Sequence, residues 1–433
     1  MALGAALRRR DAAGGEPELR PERSRRATGR RAGLDPLRPL AWAAVLLTAA
    51  LAGGCAAAGP APSPPAGVLR GDPAPEGAPP GDAYPWRLPA GFPEPAVPPD
   101  NPMTAAKVEL GRRLFYDRRL SGNGTLSCAA CHRQEAAFTD GRVVAVGSTG
   151  ERLLRNAMSL ANVAYNAAFD WANPEVASLE EQMARPLTGT HPVEMGVAGR
   201  EREIEERLAA DPLYAELFRR AFPGRSRPVS LRGVVQAIAS FERTLISGGS
   251  PYDRWVFHDD RSALGEAARR GMGLFFSERL GCGVCHGGLL LAGPIRFAGS
   301  PEPEVSYHNT GLYNVDGRGG YPEGNRGLYE KTGDPANMGR FRAPSLRNVA
   351  LTAPYMHDGS IATLGEVIDH YAAGGRAEPP SPLTSPGVRG FELAPGERSD
   401  LVAFLESLTD PGFVTEERFS DPFSQKLTAT PSE

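Results

Sequence analysis

Apolar residues recur at helical spacing over much of the chain beyond residue 100. Val234, Val235, Ile238, Phe241 and Leu245 form one stripe, with Ser230 placed to cap the first free amide groups. Leu401, Phe404, Leu405 and Leu408 form a second stripe near the C-terminus. Leu364, Val367, Ile368 and Tyr371 form a third behind Thr363-Leu-Gly-Glu366, a capping-box sequence, and Ser178-Leu-Glu-Glu181 predicts another helix start. Alternating patterns are scarce, and "GRVVAVG" (Gly141–Gly147) is the best strand candidate. The pattern predicts a mainly α protein with long loops.

The apolar run Leu40–Leu51 stands apart. It follows arginines and ends in small residues before Cys55, the layout of a secretory signal. A membrane-spanning helix needs ~20 apolar residues, more than this run supplies. "LAGGC" resembles a bacterial lipoprotein cleavage site in which Cys55 becomes the lipidated first residue, although Ala52 stands where Leu is usual. This predicts export to the periplasm or outer envelope, with membrane attachment only through a lipid on Cys55. Ala56 to about Asp100 is rich in Pro, Ala and Gly and reads as an extended tether.

Beyond the tether the chain repeats itself. Gly111, Leu114, Phe115, Arg119 and Leu120 match Gly271, Leu274, Phe275, Arg279 and Leu280 without a gap, and a C-x-x-C-H sequence follows each set. The expected organisation is a leader over 1–55, the tether over 56–100, two similar domains over 101–250 and 251–415, and a tail over 416–433.

Charge narrows the partners. Met1–Gly54 carries ten Arg against five acidic residues, whereas from Cys55 onward 46 acidic residues outnumber 38 basic ones. An acidic body argues against nucleic acid as a partner.

Four of the five cysteines lie in "CAACH" (Cys128, Cys131, His132) and "CGVCH" (Cys282, Cys285, His286). Thiols at this spacing can take both vinyl groups of a haem, and the adjoining His then ligates its iron. Zinc is the competing reading, but paired zinc-binding C-x-x-C groups usually lie ~15–20 residues apart. Two covalently bound haem c groups are therefore expected, in two cytochrome c-like domains. The sixth ligand decides their use: an iron with two protein ligands carries electrons, while an open one can react with peroxide.

The segment from about Asn101 to Pro411 resembles the bacterial di-haem cytochrome c peroxidases and their relative MauG. The resemblance is carried by "LGRRLFYDRRLSGNGTLSCAACH", "RNAMSLANVAYN", "LEEQMARPL", "PVEMG", "FERTLISGGSPYDRW" and "FRAPSLRNVALTAPYMHDGSIATLGEVIDHY", in matching order. The opening "LPAGFPEPAVPPDNPMTAAKVELGRRLFYD" is most similar to the MbnH-type branch, whose members oxidise a tryptophan on a partner protein.

The resemblance implies a set of site residues. Tyr371 falls where MauG has a Tyr and the peroxidases a Met on the second haem, with Met356 as the fallback ligand. On residue pattern alone, Tyr371 reads first as part of an apolar helix face, and it is the match with MauG that makes it a ligand. Ser148 occupies the position of a distal His in resting peroxidases, which implies an open first haem. Glu194, Gln182 and Pro186 correspond to the group beside that haem that moves peroxide protons. The Gln182–Glu194 interval is two residues longer than expected, which makes His191 a candidate extra pocket residue. Trp171 corresponds to a Trp that carries charge between the haems. A calcium ion is implied, held by the Asn156 side chain and the carbonyls of Thr352 and Pro354.

Three functions follow from this reading. One is an exported oxidase that reacts with hydrogen peroxide and oxidises a residue, expected to be Trp, on a protein partner. Another is a plain peroxidase drawing electrons from a small cytochrome or cupredoxin. The third is a non-catalytic electron carrier.

Overall fold

The computed structural model describes residues 84–424, all within the unit Pro60–Glu433. The expected leader, Cys55 and the tether up to residue 83 lie outside the described residues, as does the end of the tail.

The described residues are mostly helix and loop. The helices are α1 (Ala105–Tyr116), α2 (Leu179–Thr188), α3 (Glu201–Ala209), α4 (Pro212–Ala221), α5 (Leu231–Glu242) and α6 (Pro251–Phe257). They continue as α7 (Glu266–Phe275), α8 (Cys282–Cys285), α9 (Tyr329–Thr332), α10 (Leu364–Ala372) and α11 (Glu397–Glu406). Strands β1 (Tyr307–Asn309) and β2 (Arg340–Arg342) pair antiparallel, with His308 opposite Phe341. "GRVVAVG" forms no strand. Its one ladder contact is an isolated bridge from Val146 to Arg152, because the segment bends into a loop with Gly147 pressed on Val193 and Glu194. No helix among the described residues is long and apolar enough to cross a membrane.

The helix starts follow their caps. Thr363 accepts from the Glu366 amide and the Glu366 carboxylate accepts from the Thr363 amide, which closes the expected box. Ser178 caps α2, but Glu181 reaches past it to the Ala177 amide at 2.7 Å. Ser230 caps α5 through the Gly233 amide.

The same packing device recurs in the two largest apolar clusters among the described residues. In the first, α1 crosses α5 so closely that a Cβ on Gly111 would collide with the Ala237 carbonyl, and Phe115 meets Phe241 edge-on at 5.3 Å. In the second, a Cβ on Gly271 would collide with the Asp400 carbonyl where α7 crosses α11, and Phe275 meets Phe404 at 5.1 Å. Leu245 and Leu408 lie just past α5 and α11. Their carbonyls accept the amides of Asn162 and Asn348, at 2.7 and 3.0 Å, and both asparagines are left-handed with φ 60°.

These turns meet at one buried junction. Asn162 exchanges two 3.0 Å hydrogen bonds with the Ser247 backbone, and Asn348 donates to the Ser247 hydroxyl at 3.0 Å. Asp410 accepts from that hydroxyl and from the amides of Gly248, Gly249, Gly412 and Phe413. Phe413 and Phe419 then pack into the first cluster. At the other end residues 84–100, the last part of the expected tether, are laid against this body. Phe92 is buried, and the Pro93 carbonyl accepts from the Tyr165 hydroxyl at 2.7 Å.

Candidate active site and haem-binding residues

Each C-x-x-C-H sequence forms a single tight turn, with the His amide donating to the carbonyl of the first Cys. The loop that follows turns back to hold the imidazole. Ala137 and Phe138 are left-handed, which brings the Phe138 carbonyl to 2.9 Å from His132 Nδ1. Leu291 is left-handed as well, and its carbonyl lies 2.8 Å from His286 Nδ1. A carbonyl only accepts, so the proton resides on Nδ1 and Nε2 presents its lone pair. Burial holds both imidazoles below the usual histidine range. Two thiols and a neutral, oriented imidazole on each turn are the donor set that haem c needs, and the residues fit the group.

A cavity opens beside the second turn, lined by Cys282, Cys285, His286, Ile368, Tyr371 and Trp171. Tyr371 comes from the inner face of α10, and burial followed by the nearby Cys285 and Cys282 thiols raises its phenol pKa. A phenolate ligand is therefore stable there only when a cation replaces the proton. Met356 also lines the cavity, but it packs with Trp171, Tyr321 and Phe341.

Asn156, Thr352 and Pro354, the residues expected to hold calcium, line the same cavity as Trp171. Asn156 Nδ2 donates to the Arg142 carbonyl at 2.8 Å, an orientation that leaves Oδ1 for a cation. The Trp171 indole donates to the Asn156 carbonyl at 3.0 Å, and the Arg342 guanidinium lies 6.0 Å from its ring.

Glu194 belongs to the first turn. Its charge acts on both Cys128 and Cys131, and burial raises its own carboxyl to about 7 against a weaker pull from Arg185. The loop is pinned on both sides of the side chain: the Ser148 amide donates to the Glu194 carbonyl, and the Met195 amide to the Pro186 carbonyl. Pro186 lies within α2 and has no amide proton for the carbonyl of Gln182 one turn earlier. Gln182 Oε1 is buried without a partner, an orphan acceptor of the kind a bound molecule or water satisfies. His191 does not join this group; it is exposed and bonds only the adjacent Thr190 hydroxyl, at 3.1 Å.

Sequence reasoning missed two residues here. His357 stacks on Phe341 at 3.7 Å, its Nε2 is buried without a partner, and burial lowers it to about 4. Its place in "TAPYMHDG" was a usable signal. Arg342, held on the Asp170 carbonyl at 2.9 Å, had none.

The chain matches the di-haem cytochrome c peroxidase family over residues 105–261. It is 38% identical to the methylamine utilization protein MauG of Methylorubrum extorquens, over 76% of this chain and 85% of that protein. It is 33% identical to the cytochrome c551 peroxidase of Pseudomonas aeruginosa, over 71% of this chain and 80% of that protein. Among solved structures it resembles a MauG-like protein associated with microbial copper homeostasis, with a TM-score of 0.77 and 49% identity over 79% of this chain and all of that one. The two haem-attachment turns, the mainly helical fold and these similarities agree: the chain is a haem oxidoreductase and belongs to the di-haem cytochrome c peroxidase family that includes MauG.

Proposed function

We propose that this protein is an exported enzyme that reacts with hydrogen peroxide at the first haem and uses the haem pair to oxidise a residue, expected to be Trp, on a protein partner. The observation that carries this reading is Tyr371, whose phenol shares the space of His286, Cys282 and Cys285. An anionic oxygen donor favours ferric and higher oxidation states of iron and suits a site that stores oxidising charge. Haem, when bound, would supply cleavage of the peroxide O–O bond and storage of the resulting oxidising equivalents.

The chain's own residues act around that chemistry. His132 and His286 would each offer Nε2 to a haem iron. Ser148 is tied by its backbone amide to Glu194, and its short side chain has no nitrogen to offer the iron. This supports a first haem left open to peroxide. With a carboxyl poised near neutrality, Glu194 can take the first peroxide proton and return it to the leaving oxygen. Gln182 orients the oxidant through its free Oε1. Trp171, between Asn156 and Arg342, is the charge carrier. Calcium at Asn156, Thr352 and Pro354 would keep that loop in place.

The names of several relatives favour a second reading. The Pseudomonas aeruginosa relative is a cytochrome c551 peroxidase, which supports reduction of peroxide with electrons from a small cytochrome or cupredoxin. Mass spectrometry separates the two after incubation of the holoenzyme, peroxide and a small exported candidate partner. Oxygen gained at one partner Trp is the expected result. Rapid oxidation of a reduced cytochrome with an unmodified partner would replace the first reading by the second.

A further inference from the structure

Oxidising equivalents held near Trp171 and Tyr371 need a way to the surface if a whole protein is to be the reductant. Trp171, Phe341 and Tyr321 belong to one packed cluster against the cavity, and Tyr321 acts electrostatically on the Tyr371 phenol. Ring centroids run from Phe341 to Tyr321 at 6.4 Å and from Tyr321 to Tyr313 at 5.4 Å. Tyr313 is half-buried and leads into an exposed loop whose Val315 is 63% accessible. The row therefore starts at the cavity and ends at solvent.

The two tyrosines differ in what can take their protons. Tyr321 is buried and its hydroxyl donates to Asn309 Oδ1 at 2.9 Å, an amide oxygen that is a very weak base. The Tyr313 hydroxyl donates to Asp358 Oδ2 at 2.5 Å, a short phenol–carboxylate bond. Removing an electron from a phenol makes it a strong acid, so the step is favourable where a base already accepts its hydrogen bond. Asp358 is itself held, its other oxygen accepting the Ser360 amide at 3.1 Å.

We propose that Tyr313, with Asp358 as its proton acceptor, is the outermost electron relay through which the partner protein is oxidised. This rests on the peroxide-driven reading above. In each passage Tyr313 gives one electron inward along the row and its proton to Asp358, leaving a neutral phenoxyl radical. The radical then takes one electron from the partner and the proton back from Asp358, which restores the phenol. Reduction of one peroxide to two waters consumes two electrons and two protons. Two passages supply the electrons, and the partner Trp, losing two electrons as it takes an oxygen atom from water, releases the two protons through solvent.

The test is freeze-quenched EPR of the holoenzyme after one equivalent of peroxide, without partner, in protein carrying ring-deuterated tyrosine. A tyrosyl signal narrowed by deuteration is expected in the wild type. In Tyr313→Phe, which keeps the ring packing, the signal is lost and partner oxidation slows, while the haem absorbance changes with peroxide at the wild-type rate. Asp358→Asn is expected to weaken the signal in the same way. A tyrosyl signal unaltered by Tyr313→Phe, or no tyrosyl signal in a wild type whose haem spectrum does respond, overturns the relay alone. A wild type whose haem spectrum is unmoved by peroxide overturns the underlying reading and the relay with it.

Discussion

Glu194 and Tyr371 have the same physical problem and opposite solutions. Each is an acid buried next to a haem-attachment turn, and burial raises the pKa of both. The Glu194 carboxyl comes to rest at about 7, where it exchanges protons readily. The phenol is pushed beyond physiological reach and loses its proton only to a metal. The ionised fraction of Glu194 grows as pH rises through 7, so the rate of reaction with peroxide should rise over that range. Stopped-flow measurement should show this step in the wild type. In Glu194→Gln it should vanish, with the rate lowered about a hundredfold or more. An unchanged profile would remove Glu194 from the acid–base role.

At the scale of elements, two tightly constrained positions are glycines with no chemistry of their own. Gly111 and Gly271 let one helix lie directly on the backbone of another, and a methyl group at either would meet a carbonyl oxygen rather than a movable side chain. Gly271→Ala should therefore destabilise the fold by about 1–3 kcal/mol, read as a lowered midpoint in urea. Because α7 leads directly to Cys282, the Soret spectrum of the second haem should shift as well. The capping boxes and apolar stripes were legible because they depend on neighbours three or four residues away. "GRVVAVG" misled for the converse reason: an alternating apolar pattern specifies a strand only if a partner strand is present, and here the segment packs on the Glu194 loop instead.

For the molecule as a whole, the junction at Asp410 ties together what lies far apart in the chain. One carboxylate collects the Ser247 hydroxyl and four backbone amides, while Asn348 donates to that hydroxyl and accepts the Asp410 amide at 2.8 Å. Asp410→Ala would leave several buried donors without partners, each costing about 1–3 kcal/mol if water cannot reach it. Loss of more than about 3 kcal/mol in a denaturant titration is expected. Asp410→Asn should recover part of it, because one amide oxygen can still accept.

What the sequence by itself determined is local: helix positions and caps, the two C-x-x-C-H turns, and the paired glycines and phenylalanines before them. Each depends on residues within a turn or two of one another, or on a motif whose chemistry lies in adjacent atoms. The family was legible from motif order, and identity across most of two relatives' lengths shows it independently. Tertiary structure alone decided the rest. It turned Phe138 and Leu291 back to set the histidine tautomers, and it carried Glu194 against the first turn while leaving His191 in solvent. It also joined Tyr313 to Asp358, forty-five residues further along the chain. Proton affinity, ligand geometry and routes for electrons depend on which groups meet across long loops. No pattern of neighbours along the chain encodes that.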